Sequence, residues 1–350
     1  MNDPSPRITI IGDGQMGLVL AAVAAAGDGQ PAITLWSHDA DEASALAQTR
    51  RSARLPHFEL DPIVRVTADA SRAFHPGGEA APLVISAVPA QFVRSVWQRL
   101  AEPFADIADT SLGVMSVTKG VEVDTLLRPT QVIADVLSNV GIEAPALGVL
   151  SGPTIASELA RGMPATMIAA AESPDLADAT QHWLSSSYLR IYTGDDALGV
   201  ELAGACKNVI ALAAGMLDGL KAGYNAKSAL LARGLAEIAR LGVALGANRE
   251  TFFGLAGAGD LATTCFSPEG RNRSCGEALG KGEPLESYLA RTASVVEGVS
   301  TCAAVVALAH NTSVEMPICE TVHAVLTKAI DPIDGITRLM SRELKRERVG

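Results

Sequence analysis

Aromatic residues are scarce in this chain, and basic residues are outnumbered by acidic ones. Phe, Trp and Tyr make up 4% of the 350 residues, whereas apolar residues reach 48% and glycine occurs 32 times. Such a composition is not that of a disordered chain or a fibrous protein, and the length suffices for about two domains with a sizeable core. The formal net charge of −11 argues against broad electrostatic binding of nucleic acid or of an anionic membrane. An anionic ligand therefore requires a local group of basic residues.

Patterns for metal binding, export and membrane insertion are also lacking. The five cysteines form no C-x-x-C pair, and the six histidines form no H-x-x-x-H pair or mixed cluster of metal-ligand spacing. Uncharged apolar runs stay shorter than the roughly 18 residues that a membrane span needs. Residues 16–27 imitate a signal-peptide core, but Asp3 accompanies Arg7 upstream and a glycine motif overlaps the segment. We expect reduced thiols, no structural metal and no membrane span.

Short β-branched runs alternate with stretches of helical composition in the first half of the chain. The predicted strands are residues 8–11, 32–36, 63–66, 82–89, 112–117 and 146–150. This alternation is typical of βαβ units, so we predict a Rossmann-like, doubly wound parallel sheet with helices on both faces.

The second half changes to long Ala/Leu/Gly segments without strand-like runs. Predicted helices are residues 200–222, 225–246, 297–311 and 317–329. We therefore predict an α/β domain over residues 1–195 and an all-α domain over residues 196–350.

The motif IGDGQMG directly follows the first predicted strand and directly precedes a helical stretch. Gly12, Gly14 and Gly17 thus have the strand–turn–helix context that gives G-x-G-x-x-G its meaning. The first glycine makes the turn, the second lets a pyrophosphate approach the backbone, and the third lets helix and strand pack closely. Free N–H groups of the helix then bind the phosphates. We interpret the motif as a dinucleotide site; the alternative is a tight turn that only needs glycine.

The end of the second predicted strand bears on the choice between NAD and NADP. An acidic residue there signals the unphosphorylated ribose of NAD, but the sequence reads Ser37-His38-Asp39. The acid comes late, and Ser37 and His38 are both able to donate to a 2′-phosphate. We expect comparable use of both coenzymes, with any bias toward NADPH.

A lysine stands in the apolar segment 202–217 with no acidic residue nearby in the sequence. On a helix, Lys207 shares its face with small or apolar residues, so desolvation should lower its pKa toward neutrality. A proton donor or acceptor requires such a pKa. The alternative is a lysine that reaches the surface from a partly exposed helix.

Three further stretches suit an anionic ligand. Lys119 in VTKG and the turn SGPT at residues 151–154 follow predicted strands, where open α/β sheets bind ligands. The glycine-rich stretch 254–276 lacks a regular period, and we predict a long functional loop there. Its Arg271 offers a planar fork for phosphate, and its aspartate, Asp260, is a candidate to orient the Lys207 amine.

Taken together, these motifs resemble NAD(P)-dependent glycerol-3-phosphate dehydrogenase of the bacterial type. The similarity is closest in residues 149–165, 199–220, 225–247, 254–273 and 295–301. The resemblance implies reversible hydride transfer between NAD(P)H and dihydroxyacetone phosphate. The product, sn-glycerol 3-phosphate, is a precursor for glycerophospholipid synthesis. A soluble dinucleotide and the missing signal favour a cytoplasmic enzyme, and the large apolar helical half favours a homodimer.

The resemblance also implies roles for the matching residues. Lys207 corresponds to the catalytic lysine, which protonates the developing alkoxide in reduction and accepts the hydroxyl proton in oxidation. Substrate contacts are implied for Lys119, Gly152, Thr154, Lys207, Asp260, Arg271 and Asn272. Coenzyme contacts are implied for Gly12, Gly14, Gln15, Met16, Gly17, His38, Lys119, Ala156, Arg271, Val295 and Glu297.

Two positions depart from the family pattern. Gly270 replaces the usual serine before Arg271, and Gln15-Met16 replaces the commoner small-then-aromatic pair. Two other interpretations remain open. A ketopantoate-reductase-like enzyme would act on a carboxylate and is not expected to have so developed a GDL…RN stretch, and a dinucleotide sensor without turnover would need only the glycine motif.

Overall fold

The computed structural model describes residues 7–27, 32–292, 294–343 and 346, which form two compact units. Unit 1 comprises the described residues up to Thr118 together with Pro129–Ala197. Unit 2 comprises Lys119–Arg128 and the described residues from Leu198 onward. The single predicted boundary near residue 195 does not account for the segment 119–128. The outer ends of the predicted domains, residues 1–6 and 347–350, lie outside the described residues.

Unit 1 is built on one eight-stranded sheet. The strands are β1 (Arg7–Ile11), β2 (Ala32–Trp36), β3 (Val64–Thr67), β4 (Leu83–Ser86), β5 (Gly113–Ser116), β6 (Leu147–Ser151), β7 (Ala165–Ala171) and β8 (Leu189–Gly194). Their order is β3-β2-β1-β4-β5-β6-β7-β8. The pairs from β3 to β6 are all parallel, which confirms the predicted doubly wound sheet.

The far edge of the sheet differs from the prediction. β7 pairs antiparallel with β6, and β8 runs parallel to β7. The sequence pattern does not reveal these strands because β7 reads ATMIAAA, and alanine is depleted in strands. The sheet is therefore mostly parallel, with one antiparallel pair between β6 and β7.

Helices cover the sheet of unit 1. They are α1 (Gln15–Ala25), α2 (Ala40–Thr49), α3 (Ala70–Ala73), α4 (Val93–Ala105), α5 (Pro129–Ser138), α6 (Ala156–Ala160) and α7 (Pro174–Leu184). The core between them contains fully buried side chains such as Ile10, Leu20 and Leu150. Because β1, β4, β5 and β6 run parallel, the glycine motif after β1 and the SGPT turn after β6 both lie at the carboxyl ends of the strands.

Among its described residues, the regular secondary structure of unit 2 consists of helices alone. Apart from short helical turns, its helices are α8 (Ala197–Gly219), α9 (Gly223–Ala244), α10 (Asp260–Phe266), α11 (Arg271–Gly280), α12 (Leu285–Arg291), α13 (Glu297–Asn311), α14 (Pro317–Leu326) and α15 (Pro332–Met340). The all-α prediction is confirmed. The predicted loop over residues 254–276 is wrong, because a helical turn (Leu255–Gly259), α10 and the start of α11 occupy it.

Helix α8 forms part of the core of unit 2. It alone among the described helices is long and apolar enough to cross a membrane, yet its apolar stretch is fully buried. Helix α11 meets it backbone to backbone: a Cβ at Gly215 would lie 1.9 Å from the Arg273 carbonyl oxygen, and a Cβ at Gly276 would lie 2.0 Å from that of Leu212. These glycines therefore fix the start of α11 relative to α8. All five cysteines are buried and unpaired, as expected.

Candidate active site

The Lys207 side chain lies inside unit 2, where it is 6% exposed. Its Nζ is 2.9 Å from Oδ1 of Asp260 and also donates to the Thr264 hydroxyl. Asp260 is the first residue of α10, and Thr264 follows one turn later on the same helix. The expected aspartate partner of Lys207 is confirmed. Sequence reasoning missed Thr264 as a partner, although its spacing of four from Asp260 would place both on one helix face.

A second lysine binds the same carboxylate. Lys119 Nζ lies 2.6 Å from Oδ2 of Asp260, so one carboxylate with 1% exposure joins two ammonium groups. The two residues are 141 positions apart in the sequence. The Lys119 carbonyl oxygen accepts a hydrogen bond of 3.0 Å from Nδ2 of Asn208, the neighbour of Lys207 on α8. Side-chain and main-chain contacts together fix Lys119.

This environment shifts the acidity of Lys207. Burial lowers the pKa of Lys207 from 10.5 to about 8; the Asp260 carboxylate opposes this shift, and the positive charge of Lys119 adds to it. The lowered pKa agrees with the expectation from the apolar helix face. An amine with such a pKa can exchange protons near physiological pH.

Asn272 links three helices rather than facing solvent. It is 8% exposed, its Nδ2 donates to Asn208 Oδ1 at 2.9 Å, and its Oδ1 accepts from the Gly298 N–H at 2.8 Å. Because both ends of the amide are engaged, Asn272 joins α8, α11 and α13. Asn208 is a further residue that sequence reasoning missed, and its place beside Lys207 was the available signal.

Arg271 begins α11 and is exposed. Its Nη1 donates to the carbonyl oxygen of Val295 at 3.3 Å, just before Glu297 begins α13. The preceding Gly270 allows close packing, because a Cβ there would lie 2.9 Å from the Thr264 carbonyl oxygen. A serine at this position would therefore require a local shift of the backbone.

The glycine motif of unit 1 forms the predicted turn between β1 and α1. Gly12 has a φ of +106°, and a Cβ on Gly17 would lie 1.9 Å from the Gly12 carbonyl oxygen. A Cβ on Gly14, by contrast, would meet nothing within 4 Å. Gly14 directly precedes the first turn of α1, so a phosphate has open space and free N–H groups there. The residues present fit the pyrophosphate of a dinucleotide.

The next two residues of the motif have different surroundings. Gln15 donates through Nε2 to the Arg54 carbonyl oxygen at 2.7 Å. Met16 is partly buried and packs against the core of unit 1.

The end of β2 corrects one expectation. Ser37 is fully buried, and its hydroxyl donates to Oδ2 of Asp13 at 3.0 Å. It is therefore not available to a 2′-phosphate, whereas His38 is exposed. Arg54, which the sequence did not single out, lies 3.1 Å from the same Asp13 oxygen and 2.6 Å from Glu42.

Among the described residues, Asp13, His38 and Glu42 are the group whose potential metal-ligating atoms come within 4.8 Å of one another. Tertiary structure creates this group, since the three residues show no metal-ligand spacing in the sequence. Arg54 forms ion pairs with the carboxylates of Asp13 and Glu42, and these ion pairs account for the close approach of the two acidic side chains.

The SGPT turn follows β6 and depends on a glycine. Gly152 has a φ of +149°, and a Cβ there would lie 2.7 Å from the Thr166 carbonyl oxygen. The Thr154 hydroxyl donates to the Gly152 carbonyl oxygen at 3.2 Å, and Ala156 begins α6. Within unit 1, the structure thus places this turn and the glycine motif at the carboxyl ends of parallel strands.

Two sequence profiles match this chain almost end to end. The profile described as NAD-dependent glycerol-3-phosphate dehydrogenase N-terminus matches residues 7–177, and the one described as its C-terminus matches residues 196–337.

Individual proteins show the same relationship. Glycerol-3-phosphate dehydrogenase (NAD(P)+) 2 of Mycobacterium tuberculosis is 44% identical over 341 residues, covering 97% of this chain and 98% of that protein. The enzyme of that name from Salinibacter ruber is 43% identical over 345 residues, covering 98% and 96%. The crystal structure of glycerol-3-phosphate dehydrogenase from Coxiella burnetii superposes with a TM-score of 0.88 at 30% identity, covering 97% and 99%. The chain belongs to the family of NAD(P)-dependent glycerol-3-phosphate dehydrogenases.

Proposed function

We propose that the protein catalyses reversible hydride transfer between NAD(P)H and dihydroxyacetone phosphate, with sn-glycerol 3-phosphate as the product of reduction. The observation that carries this proposal is the buried Lys207–Asp260–Lys119 cluster in a chain that matches the family over both halves. The product is a precursor for glycerophospholipids, so the enzyme is an oxidoreductase of lipid metabolism.

Lys207 is the proton-transfer residue in this proposal. The nicotinamide supplies the hydride when bound, and the protein supplies orientation, charge and a proton. In reduction, Lys207 donates its proton to the oxygen that becomes the alcohol; in oxidation, it accepts the hydroxyl proton. Its pKa of about 8 permits both directions. Asp260 holds the amine, which limits its orientations before reaction.

Arg271 is the proposed anchor for the substrate phosphate. Its guanidinium is exposed at the start of α11 and presents a planar fork suited to two phosphate oxygens. In a chain of net charge −11, Arg271, Lys119 and Lys207 supply the local basic group that an anionic substrate requires. Binding energy from the phosphate can then position the reacting carbon.

The remaining contacts are proposed from family resemblance together with placement. Gly152, Thr154 and Asn272 would complete the substrate site. Coenzyme contacts would come from Gly12, Gly14, Gln15, Met16, Gly17, His38, Lys119, Ala156, Arg271, Val295 and Glu297. We also propose a soluble, cytoplasmic homodimer, which size-exclusion chromatography with light scattering would test.

The first experiment follows oxidation of NADPH and of NADH on addition of dihydroxyacetone phosphate, with ketopantoate as the control substrate. Oxidation with the phosphorylated ketone alone is expected. Turnover of ketopantoate instead would favour the related reductase, and binding of coenzyme without any turnover would favour a sensor.

A lysine variant completes the test. Lys207→Ala should lower kcat by at least about 10²–10⁴-fold while coenzyme affinity stays nearly unchanged, because the glycine motif belongs to unit 1. Lys281→Ala is the matched control, since that lysine is 60% exposed in unit 2. If Lys207→Ala kept more than about a tenth of the wild-type kcat, the assignment of the proton donor would be wrong.

A further inference from the structure

The segment 119–128, here called the strap, lies along one face of α8 within unit 2. Three successive contacts hold it there. The Lys119 carbonyl oxygen accepts from Asn208, the fully buried Val121 packs against Ala205, and Arg128 forms an ion pair with Glu201. Positions 201, 205 and 208 are spaced by four and three, so they lie on the same side of the helix.

Hydrogen bonds within the strap turn it back toward α8. The Glu122 N–H donates to the Leu127 carbonyl oxygen at 3.0 Å, and the Leu126 N–H donates to the Glu122 carbonyl oxygen at 3.0 Å. Leu126 has a φ of +59°, which fits a tight reversal. Both ends of the strap therefore contact one helix, and the first residue, Lys119, is the one that binds Asp260.

The ion pair at the far end is largely buried. The Glu201 side chain is 1% exposed and the Arg128 side chain 19%. Removing one partner of such a pair leaves an uncompensated buried charge, which is strongly unfavourable. Glu201 lies on α8 six residues before Lys207, and the groups that shift the Lys207 pKa are Asp260, Lys119 and Cys265 rather than Glu201 or Arg128.

We propose that Glu201 and Arg128 are positioning residues, which hold the far end of the strap on α8 and thereby keep the Lys119 ammonium against Asp260. The proposal rests on the proposed function of Lys207 as the proton-transfer residue. The groups that act on Lys207 are Asp260, Lys119, Thr264 and the Cys265 thiol. If the strap loosens, Lys119 withdraws, and one influence that lowers the Lys207 pKa is lost.

The test combines variants that separate positioning from folding. Arg128→Gln with Glu201→Gln removes both charges together, so no buried charge is left unpaired. Val121→Ala keeps every charge and removes two methyl groups from the apolar contacts that the strap makes with Ala205 and Ala304. Arg128→Lys keeps the charge and shortens the reach. Glu237→Ala is the matched control: Glu237 on α9 is a buried carboxylate that accepts from the N–H groups of Ile318 and Cys319, so its loss disturbs unit 2 at the start of α14.

Two readouts are needed, the unfolding free energy and the pH profile of kcat for reduction of dihydroxyacetone phosphate. We expect the double variant to lower kcat about tenfold or more, because a small misplacement of a catalytic group can cost about 10²-fold. We also expect the alkaline limb of its pH profile to move to higher pH, because withdrawal of the Lys119 charge raises the Lys207 pKa. Val121→Ala should change kcat and the alkaline limb in the same directions but to a smaller extent. Arg128→Lys should have nearly the wild-type kcat and pH profile. Glu237→Ala should lose stability with an unchanged pH profile.

Wild-type kcat and pH profile in both the double variant and Val121→Ala would overturn the proposal. An equal shift of the pH profile in Glu237→Ala would also overturn it, since general destabilisation would then suffice. Failure of the proposed function would look different, because the wild-type protein itself would not oxidise NADPH with dihydroxyacetone phosphate.

Discussion

The charge state of one residue, Lys207, should set the pH dependence of the reaction in opposite ways for the two directions. Reduction needs the protonated amine and oxidation needs the neutral one. With a pKa of about 8, kcat for reduction should be level below that pH and fall above it, and kcat for oxidation should rise toward it and then level off. Initial rates at saturating substrates, measured in both directions, check this mirror relationship.

Asp260→Asn provides the matched variant for this prediction. The Asp260 carboxylate raises the Lys207 pKa, so its loss should move the alkaline limb of the reduction to lower pH. A limb that stays in place would show that another group titrates.

Arg271 allows a second test at the residue scale. Arg271→Lys keeps the charge but loses the planar fork, so it should reduce kcat/KM for dihydroxyacetone phosphate far more than for unphosphorylated dihydroxyacetone. A charge-assisted hydrogen bond is worth roughly 1.5–3 kcal/mol, or on the order of 10- to 150-fold. The measured quantity is the ratio of kcat/KM for the two ketones.

The control for Arg271 is Arg291→Lys, at an exposed arginine of unit 2 that pairs with Glu283. It should leave the ratio unchanged. If Arg271→Lys also left it unchanged, the phosphate would have to bind elsewhere, with Lys119 and Arg273 as the next candidates. Both already pair with a carboxylate: Arg273 Nε lies 2.8 Å from Asp218, and Lys119 Nζ lies 2.6 Å from Asp260.

At the scale of the element, the turn between β1 and α1 separates folding from binding. Gly14 has a φ of −66° and open space in front of it, so Gly14→Ala should fold with nearly wild-type stability. Its methyl group would project where the pyrophosphate approaches, so the Kd for NADPH should rise. Gly17→Ala should instead lose stability, typically about 1–3 kcal/mol, because its Cβ would overlap the Gly12 carbonyl oxygen.

Titration of NADPH by fluorescence and denaturant unfolding measure the two effects separately. Equal coenzyme affinity in Gly14→Ala and the wild type would contradict the placement of the pyrophosphate at this turn.

Elements that coincide with a long apolar run were predictable from the sequence, whereas elements that depend on close backbone packing were not. Strands β1 to β6 and helices α8, α9, α13 and α14 follow apolar runs of the expected length. The stretch 254–276 looks irregular because its glycines are needed for contact: a Cβ at Gly257 would lie 1.9 Å from the Phe252 carbonyl oxygen. Composition alone does not distinguish such a glycine from one in a loop.

At the scale of the whole molecule, the sequence indicated which residues belong to the candidate active site better than it indicated their contacts. Family resemblance brought Lys119, Lys207 and Asp260 together, and the structure joins them in one cluster. Ser37 shows the limit, since only the tertiary structure reveals that Asp13 binds its hydroxyl. The Arg128–Glu201 pair was equally hidden, because its partners are 73 residues apart and carry no motif.

Stability of the whole molecule should depend on pH through Glu237. Burial raises the pKa of Glu237 from 4.5 to about 7. Folding thus favours the protonated carboxyl, so its contribution to stability is present below about pH 4.5 and is lost as the pH rises through 7. The expected loss is on the order of a few kcal/mol at most.

Glu237→Gln isolates this effect, because the amide does not titrate. The difference in unfolding free energy between the variant and the wild type should grow in favour of the variant as the pH rises from 4.5 to 7. A constant difference across this range would show that the carboxyl does not take up a proton on folding.

The strap means that unit 2 is not encoded by one continuous stretch of the gene. A crossover placed at the junction of Ala197 and Leu198 would deliver Lys207 and Asp260 from one parent and Lys119 from the other. Chimeras of family members should therefore be most active when codons 119–128 come from the same parent as the C-terminal half. Substitutions in the strap and on the facing side of α8 should therefore be constrained together, although the chain between them forms three strands and three helices of unit 1.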